Sequence, residues 1–373
     1  DSSFAGNKTS QGNADGNGIG DFYYTPPTGF LALCTQNLPE PTVIPSEHFN
    51  TVLYTGDGTD DRAITGLGFA PDLIWLKSRN EAHWHVLTDS VRGDGRSLYS
   101  NATNAENLDN LITSLDADGF TVDINVAVNK SSFPYVAWNW KANGAGVSNT
   151  DGTITSTVSA NVDAGFSIVS YTGTGAVATV GHGLTIAPEM VIVKSRSLSG
   201  KNWPTYHIAT GNTNRTKLNA TDASGASSAW NNTTPSASLI TLGSQSEVNT
   251  ASATQIAYAF HSVEGYSKVG SYTGNGSADG TFVHCGFRPA YVMSKRTDTT
   301  SSWEIYDGER SPYNEVNEYL YAQATNVEGS DLALDFVSNG FKMRNPVYGN
   351  NKAGGTYIFL AFAEHPMKYS NAR

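Results

Sequence analysis

The chain has 373 residues, enough for two to three domains at about 150 residues each. Only 15% of them are Asp, Glu, Lys or Arg, against about 25% in an ordinary soluble domain, so hydroxyls and amides carry its solubility, which suits a β-rich extracellular or virion protein. The net charge of −11, with no basic run, excludes nucleic-acid binding and a general role on anionic membranes, and no stretch approaches the ~18 apolar residues of a bilayer span.

The N-terminal segment, residues 1–45, opens Asp1-Ser2-Ser3-Phe4 with neither Met nor a signal peptide, so a fragment or processed product is expected. Next comes Asn13-Ala14-Asp15-Gly16-Asn17-Gly18-Ile19-Gly20-Asp21. Side-chain oxygens at Asn13, Asp15, Asn17 and Asp21, alternating about glycines, are what a Ca²⁺ loop requires. The pattern is similar to a thrombospondin type 3 repeat, with Asn at two of the four acidic or amide positions. Tyr24 stands where an EF-hand needs its bidentate Glu. Two readings stay open, a Ca²⁺ site on those four residues and a polar turn without metal. Phe30–Cys34 reads as a strand, followed by a stiff linker at Pro39-Glu40-Pro41 and Pro45. One strand cannot bury itself, so the segment is expected to be the remnant of another β-domain. Cys34 and Cys285 lie in apolar runs and read as buried free thiols.

From about residue 46 the chain repeats itself. Tyr54-Thr55-Gly56-Asp57-Gly58 returns as Tyr171-Thr172-Gly173-Thr174-Gly175 and as Tyr272-Thr273-Gly274-Asn275-Gly276. Each is followed by a Pro opening an apolar run, at Pro71, Pro188 and Pro289, with Lys77, Lys194 and Lys295 six residues on. A Trp follows in each copy (Trp84, Trp203, Trp303), and an aromatic-rich run closes each at Trp140, Phe260 and Phe362. The copies are offset by 117 and 101 residues, judged from the three prolines. Short apolar runs between Gly-rich turns predict an all-β fold, with three tandem β-sandwich or jelly-roll-like domains. The boundaries expected are 46–145, 160–265 and 266–373, with a flexible linker at 146–159. Leu108, Leu111, Ile112 and Leu115 keep helical spacing and predict one short helix. Copies of about 100 residues are expected to fold independently.

Motifs of catalysis are absent: the sequence holds no G-x-S-x-G, H-E-x-x-H, C-x-x-C or P-loop pattern. His83 and His85 suggest a Zn²⁺ pair but lack a third ligand. Asp116, Asp118 and Asp123, or Glu315 and Glu318, could supply a glycosidase pair only if folding brought two together. The expectation is a protein that is not an enzyme. Asn101, Asn219 and Asn275 stand in glycosylation sequons, which an Asn- and Thr-rich chain also produces by composition. Trp84, Trp203 and Trp303 recur and read as core. Ligand contact is expected instead in loops where the copies differ, at Trp230, Asn231 and Asn232 of repeat two and at Arg310 and Tyr313 of repeat three.

The phrases GFAPDLIWLKSRN, LDADGFTVD, YVAWNWKA, VEGYSKVGSYTGNGSADGTFVHCGFRPAYVMSKR and GGTYIFLAFAEHPMKY resemble a domain of unknown function found in tailed-bacteriophage proteins, particularly of marine and cyanobacterial phages. GNGIGDFYYTPPTGFLALCTQNLPEP is similar to the end of the SPRY-like, concanavalin-type sandwich that often precedes it. The resemblance implies a virion structural protein of a tail fibre or other host-contact appendage. It further implies a homotrimer among other virion proteins, binding host-surface glycans. Capsid decoration or a passive stalk is the alternative, and a polysaccharide depolymerase the third.

Overall fold

The structure is a computed structural model that describes residues 9–34, 37, 43–347 and 349–364; the Pro39-Glu40-Pro41 linker lies outside the described residues. Repeat one forms β1 (Phe49–Thr55), β2 (Arg62–Thr65), β3 (Leu73–Ser78), β4 (Val86–Asp89), β5 (Arg96–Tyr99), β6 (Asn107–Leu108), β7 (Ile112–Asp116), β8 (Gly119–Val122) and β9 (Pro134–Trp140). Its larger sheet runs β1-β9-β3-β4-β5-β6 and its smaller one β2-β8-β7.

Repeat two forms β10 (Val147–Asn149), β11 (Ser156–Asn161), β12 (Phe166–Thr172), β13 (Ala178–Gly181), β14 (Met190–Ser195), β15 (Pro204–His207), β16 (Asn214–Lys217), β17 (Gly225–Ala226), β18 (Leu239–Leu242) and β19 (Thr254–Phe260), with the short helix α1 (Ser246–Asn249) before the last. Its sheets run β10-β11-β12-β19-β14-β15-β16-β17 and β13-β18. Repeat three forms β20 (Ser267–Thr273), β21 (Phe282–His284), β22 (Pro289–Arg296), β23 (Trp303–Asp307), β24 (Tyr319–Tyr321), β25 (Leu334–Val337), β26 (Gly340–Met343) and β27 (Thr356–Ala363), in sheets β20-β27-β22-β23-β24 and β21-β26-β25. The fold is all-β, and each repeat is an antiparallel sandwich whose first and last long strands pair, as Phe49 with Trp140, Phe166 with Phe260 and Ser267 with Phe362.

The recurring Tyr-Thr-Gly-x-Gly is a latch. Tyr54, Tyr171 and Tyr272 donate their hydroxyls to the carbonyls of Val128, Val248 and Asn350. The next residue in each case, Asn129, Asn249 or Asn351, is buried and accepts the N–H of Asp57, Thr174 or Asn275. The first glycine passes so close to this loop that a Cβ on Gly56 would lie 2.1 Å from the Lys130 carbonyl. Only glycine fits there.

Side-chain alternation sends the two faces of each larger sheet to different cores. In β27, Tyr357, Phe359 and Ala361 face the smaller sheet of repeat three, while Ile358, Leu360 and Phe362 face away from it. β19 and β9 divide in the same way. The outer faces of all three repeats meet in one core built from Trp75, Trp138 and Trp140, Ile192, Tyr258 and Phe260, and Tyr291, Met293 and Phe362. Phe362 lies 5.7 Å from Trp140 and 6.2 Å from Phe260, ring centre to ring centre. The repeats therefore close into a pseudo-threefold ring. Its centre is packed solid apart from an apolar void of about 20 Å³, which is expected to be dry.

Several expectations are corrected. The helical spacing at Leu108–Leu115 belongs to β6 and β7, because Leu108 is an exposed edge residue while Ile112 is buried beneath the smaller sheet. The expected linker at 146–159 contributes β10 and part of β11 to the sheet of repeat two. Phe30–Cys34 is no strand, and Cys34 is exposed there, whereas Cys285 is buried and its thiol is pushed up to about 12. Trp84 is not the counterpart of the other two. The β22–β23 ladder sets Trp303 opposite Lys295, and extending the β14–β15 and β3–β4 ladders sets Trp203 opposite Lys194 but His85 opposite Lys77.

The shared core also overturns independent folding of the copies. A chain ending at residue 265 would expose the faces that Tyr291, Met293 and Phe362 cover. It is expected to lose the cooperative thermal transition in circular dichroism; a native-like transition in that truncation would contradict the shared core.

Candidate functional site

The strongest charge clusters lie in the seams between repeats. Asp89 in repeat one pairs with Arg92 at 2.5 Å, both buried, and accepts the Tyr258 hydroxyl of repeat two at 2.7 Å. Arg92 continues to Glu106 at 3.4 Å, which Arg196 of repeat two holds at 2.9 Å. The seam between repeats one and three repeats this wiring. Asp307 pairs with Arg310 at 2.5 Å and accepts the Trp138 indole N–H at 2.9 Å. Arg310 reaches Glu328 at 3.0 Å, and Arg79 reaches the same carboxylate at 2.7 Å. In the third seam His207, Thr210, Ser224 and Thr297 take the corresponding places; His207 lies 3.5 Å from the Phe359 carbonyl, and the Ser224 N–H donates to the Thr297 carbonyl at 2.8 Å. Two seams carry this Asp-Arg-Glu-Arg chain and the third does not.

The recurring Lys and Trp also serve the seams. Lys194 and Lys295 are buried and donate to carbonyls of the preceding repeat, Thr103 and Thr221, and Lys77 donates to Ser78 and Glu81. Burial brings all three ammonium groups down to about 8. Trp203 donates its indole N–H to the Tyr99 and Ala102 carbonyls, and Trp303 to that of Lys217. His85, in the matching place, accepts the Trp75 indole N–H at 2.9 Å; burial holds its imidazole well below the ordinary range.

Two residues expected to touch ligand are therefore structural. Arg310 is sealed within its seam. Trp230 is 1% exposed, packs 5.8 Å from Tyr206 and donates to the Asn214 carbonyl, because the loop folds its indole inward. Asn231 and Asn232 lie exposed just beyond it in left-handed conformation, and Tyr313 is exposed; the structure does not bring them together with one another's repeats into a site.

At the N-terminal loop, Asp15 accepts N–H bonds from Asn17, Ile19 and Ala32 and an amide bond from Asn37. These donors hold its carboxyl down at about 2, led by the Ala32 N–H. Asp21 accepts from Ser10 and Gly12, and Asn13 donates to the Phe22 and Tyr23 carbonyls. Asn17 donates to Asn37. The four side chains are thus engaged by the loop itself, and no group of three or more His, Cys, Asp or Glu able to hold a metal ion occurs among the described residues.

Three of the carboxylates weighed as catalytic find partners of their own, while Asp123 lies against the Asp60 carboxyl, which raises it. Asp116 accepts from Ser114 and Thr121, Asp118 from the N–H groups of Gly66 and Gly68, and Glu318 pairs with Arg79. Glu304 is fully buried, with its carboxyl raised by that burial to about 7, and accepts the Tyr306 hydroxyl.

One surface concavity combines an exposed aromatic with polar groups. It is an open groove of about 340 Å³ in repeat one, lined by His83, Trp84, Tyr99, Asp109, Asn125 and Val126. Trp84 is 43% exposed and leans on Tyr99 at 4.4 Å between ring centres. The Tyr99 hydroxyl and the Ser97 hydroxyl both donate to Asp109, fixing its carboxylate at the groove. His83 is held below its ordinary range chiefly by partial burial, which keeps the imidazole neutral at pH 7. Sequence reasoning passed over this groove because it aligned Trp84 with the two core tryptophans. Spacing gave no clear signal, because the Trp falls 7, 9 and 8 residues after the recurring Lys and the core position emerges only from the strand pairing.

The architecture is that of a single-chain ring of three β-sandwiches. The chain belongs to the family described as "Domain of unknown function (DUF7483)", which matches residues 44–366 and so spans all three repeats. No curated protein matches it. Among solved structures it shows a likeness to a chain of the "PBCV-1 virus capsid, quasi-atomic model", at 9% identity over 87% of this chain and 89% of that one; the TM-score of 0.11 carries no argument.

The ionic seams make a quantitative expectation. Asp307→Asn should cost about 3–5 kcal/mol in denaturant unfolding, since it leaves a buried guanidinium short of its partner. The double variant Asp307→Leu with Arg310→Met should cost less than the single one. A loss below about 1 kcal/mol for Asp307→Asn would show that the pair is solvated.

Proposed function

We propose that this chain is a structural protein of a bacteriophage virion, the rigid β-module of a tail fibre or other host-contact appendage, and that it holds glycans of the host surface. The observation that carries the reading is the closed ring. Three sandwiches locked by one aromatic core and two ionic seams form a stiff body, and loops that differ between repeats project from it at fixed positions. The resemblance of its phrases to tailed-phage proteins supports the same reading, as does a surface kept soluble by hydroxyls and amides. In this reading a three-fold arrangement is supplied within one chain, other virion proteins are its neighbours, and it has no reaction to catalyse.

Gold-tagged antibody against the chain, applied to intact particles and viewed by electron microscopy, tests the placement. Gold on the tail or its appendages is expected. Gold distributed over the head would replace the reading with capsid decoration.

A further inference from the structure

We infer that the groove at Trp84 is a binding site for a neutral mono- or disaccharide, held by stacking on the indole and by hydrogen bonds to Asp109, His83 and Asn125. The inference rests on the host-glycan reading and places it at one site of one repeat.

Three observations lead here. First, Trp84 is the chain's substantially exposed tryptophan; the other six are at most 4% exposed. Trp is highly buried on average, and here the exposed indole shares the wall of a concavity with Val126, itself exposed, so that the two form an apolar patch. Second, Trp84 sits one residue before the position that carries Trp203 and Trp303 in the other copies, where Asn202 and Ser302 stand. The shared fold requires no Trp at that place. It requires the buried neighbour, which in repeat one is His85.

Third, the groove holds polar groups suited to hydroxyls. Asp109 accepts from Tyr99 and Ser97 and keeps lone pairs for further donors, because two carboxylate oxygens offer about four acceptor sites. A neutral His83 offers one donor and one acceptor, and Asn125 an amide. The aromatic face of Trp84 and the apolar surface of Val126 suit the C–H face of a pyranose. Asp109 disfavours an anionic sugar by like-charge repulsion. A volume of about 340 Å³ lies at the small end of ligand sites, which span roughly 300–1,000 Å³, and fits one or two sugar rings.

Because Trp84 dominates the solvent-accessible fluorescence, acrylamide quenching reads the site in the intact chain. The probes are glucose, galactose, N-acetylglucosamine, lactose and chitobiose, with sialyllactose as the anionic comparison. At least one neutral probe is expected to shield Trp84 from acrylamide, and sialyllactose to bind more weakly. By isothermal titration that probe should bind Trp84→Asn, which installs the residue of repeat two, at least tenfold more weakly. Trp84→Phe should recover part of the affinity, and both variants should keep the parent melting temperature. Unchanged affinity in Trp84→Asn would overturn the groove assignment and leave the host-glycan reading in place. Failure of every probe, together with binding of the chain to host cells that survives Trp84→Asn, would do the same. Failure of every probe with no binding to host cells would overturn both.

Discussion

The structure depends on one constraint: each larger sheet is apolar on both faces, and its own sandwich can cover only one of them. Lone sheets with two apolar faces are unstable in water, and the usual solution is a helical layer on the second side. This chain has almost no helix among its described residues. It covers the second face with the same face of two further copies. Three copies close the ring, and Trp140, Phe260 and Phe362 fill the centre. A head-to-tail contact between non-identical surfaces closes only if its rotation matches the number of copies. Here every seam uses the same elements in the same order, as the indoles of Trp203 and Trp303 reaching back to the preceding repeat illustrate.

Within that symmetry the copies have diverged where packing allows. Asp-Arg-Glu-Arg chains wire two seams, and neutral side chains replace them in the third. Buried ion pairs add little net stability but penalise mispairing, since a lone buried charge is costly. Such wiring ties repeat one to each of its two neighbours. The smaller sheets and connecting loops face outward and vary freely. Repeat one uses that freedom to form a polar groove around Trp84, and repeat two turns its own loop tryptophan, Trp230, inward. A stiff ring with variable loops is a physical basis for presenting binding surfaces on a particle, which is the role proposed here.

Much of the architecture was legible in the sequence, and the failures share a physical cause. Continuous apolar runs such as Leu73–Leu76 and Met190–Val193 announced strands buried on both faces, and the Tyr-Thr-Gly-x-Gly landmarks announced the repeats. Neither says what covers the second face, so the copies read as separate domains when they share a core. Polar residues misled for the same reason. Arg310 sits in a loop that looks exposed until the neighbouring repeat supplies Trp138 and Glu328. At the N-terminal loop, spacing left a Ca²⁺ site and a metal-free turn both open, and it did not reveal the backbone N–H groups that Asp15 accepts. Trp84 was missed because it stands one residue before the core position, and the Lys-to-Trp spacing differs from copy to copy.

The central claim is that the three sandwiches are one cooperative body. Scanning calorimetry of the chain tests it directly. A single transition is predicted, with calorimetric and van't Hoff enthalpies equal and on the order of 200 kcal/mol near 60 °C for the ring. Two or three resolved transitions, or a van't Hoff enthalpy near a third of the calorimetric one, would mean that the repeats unfold separately and that the shared core does not bind them into one structure.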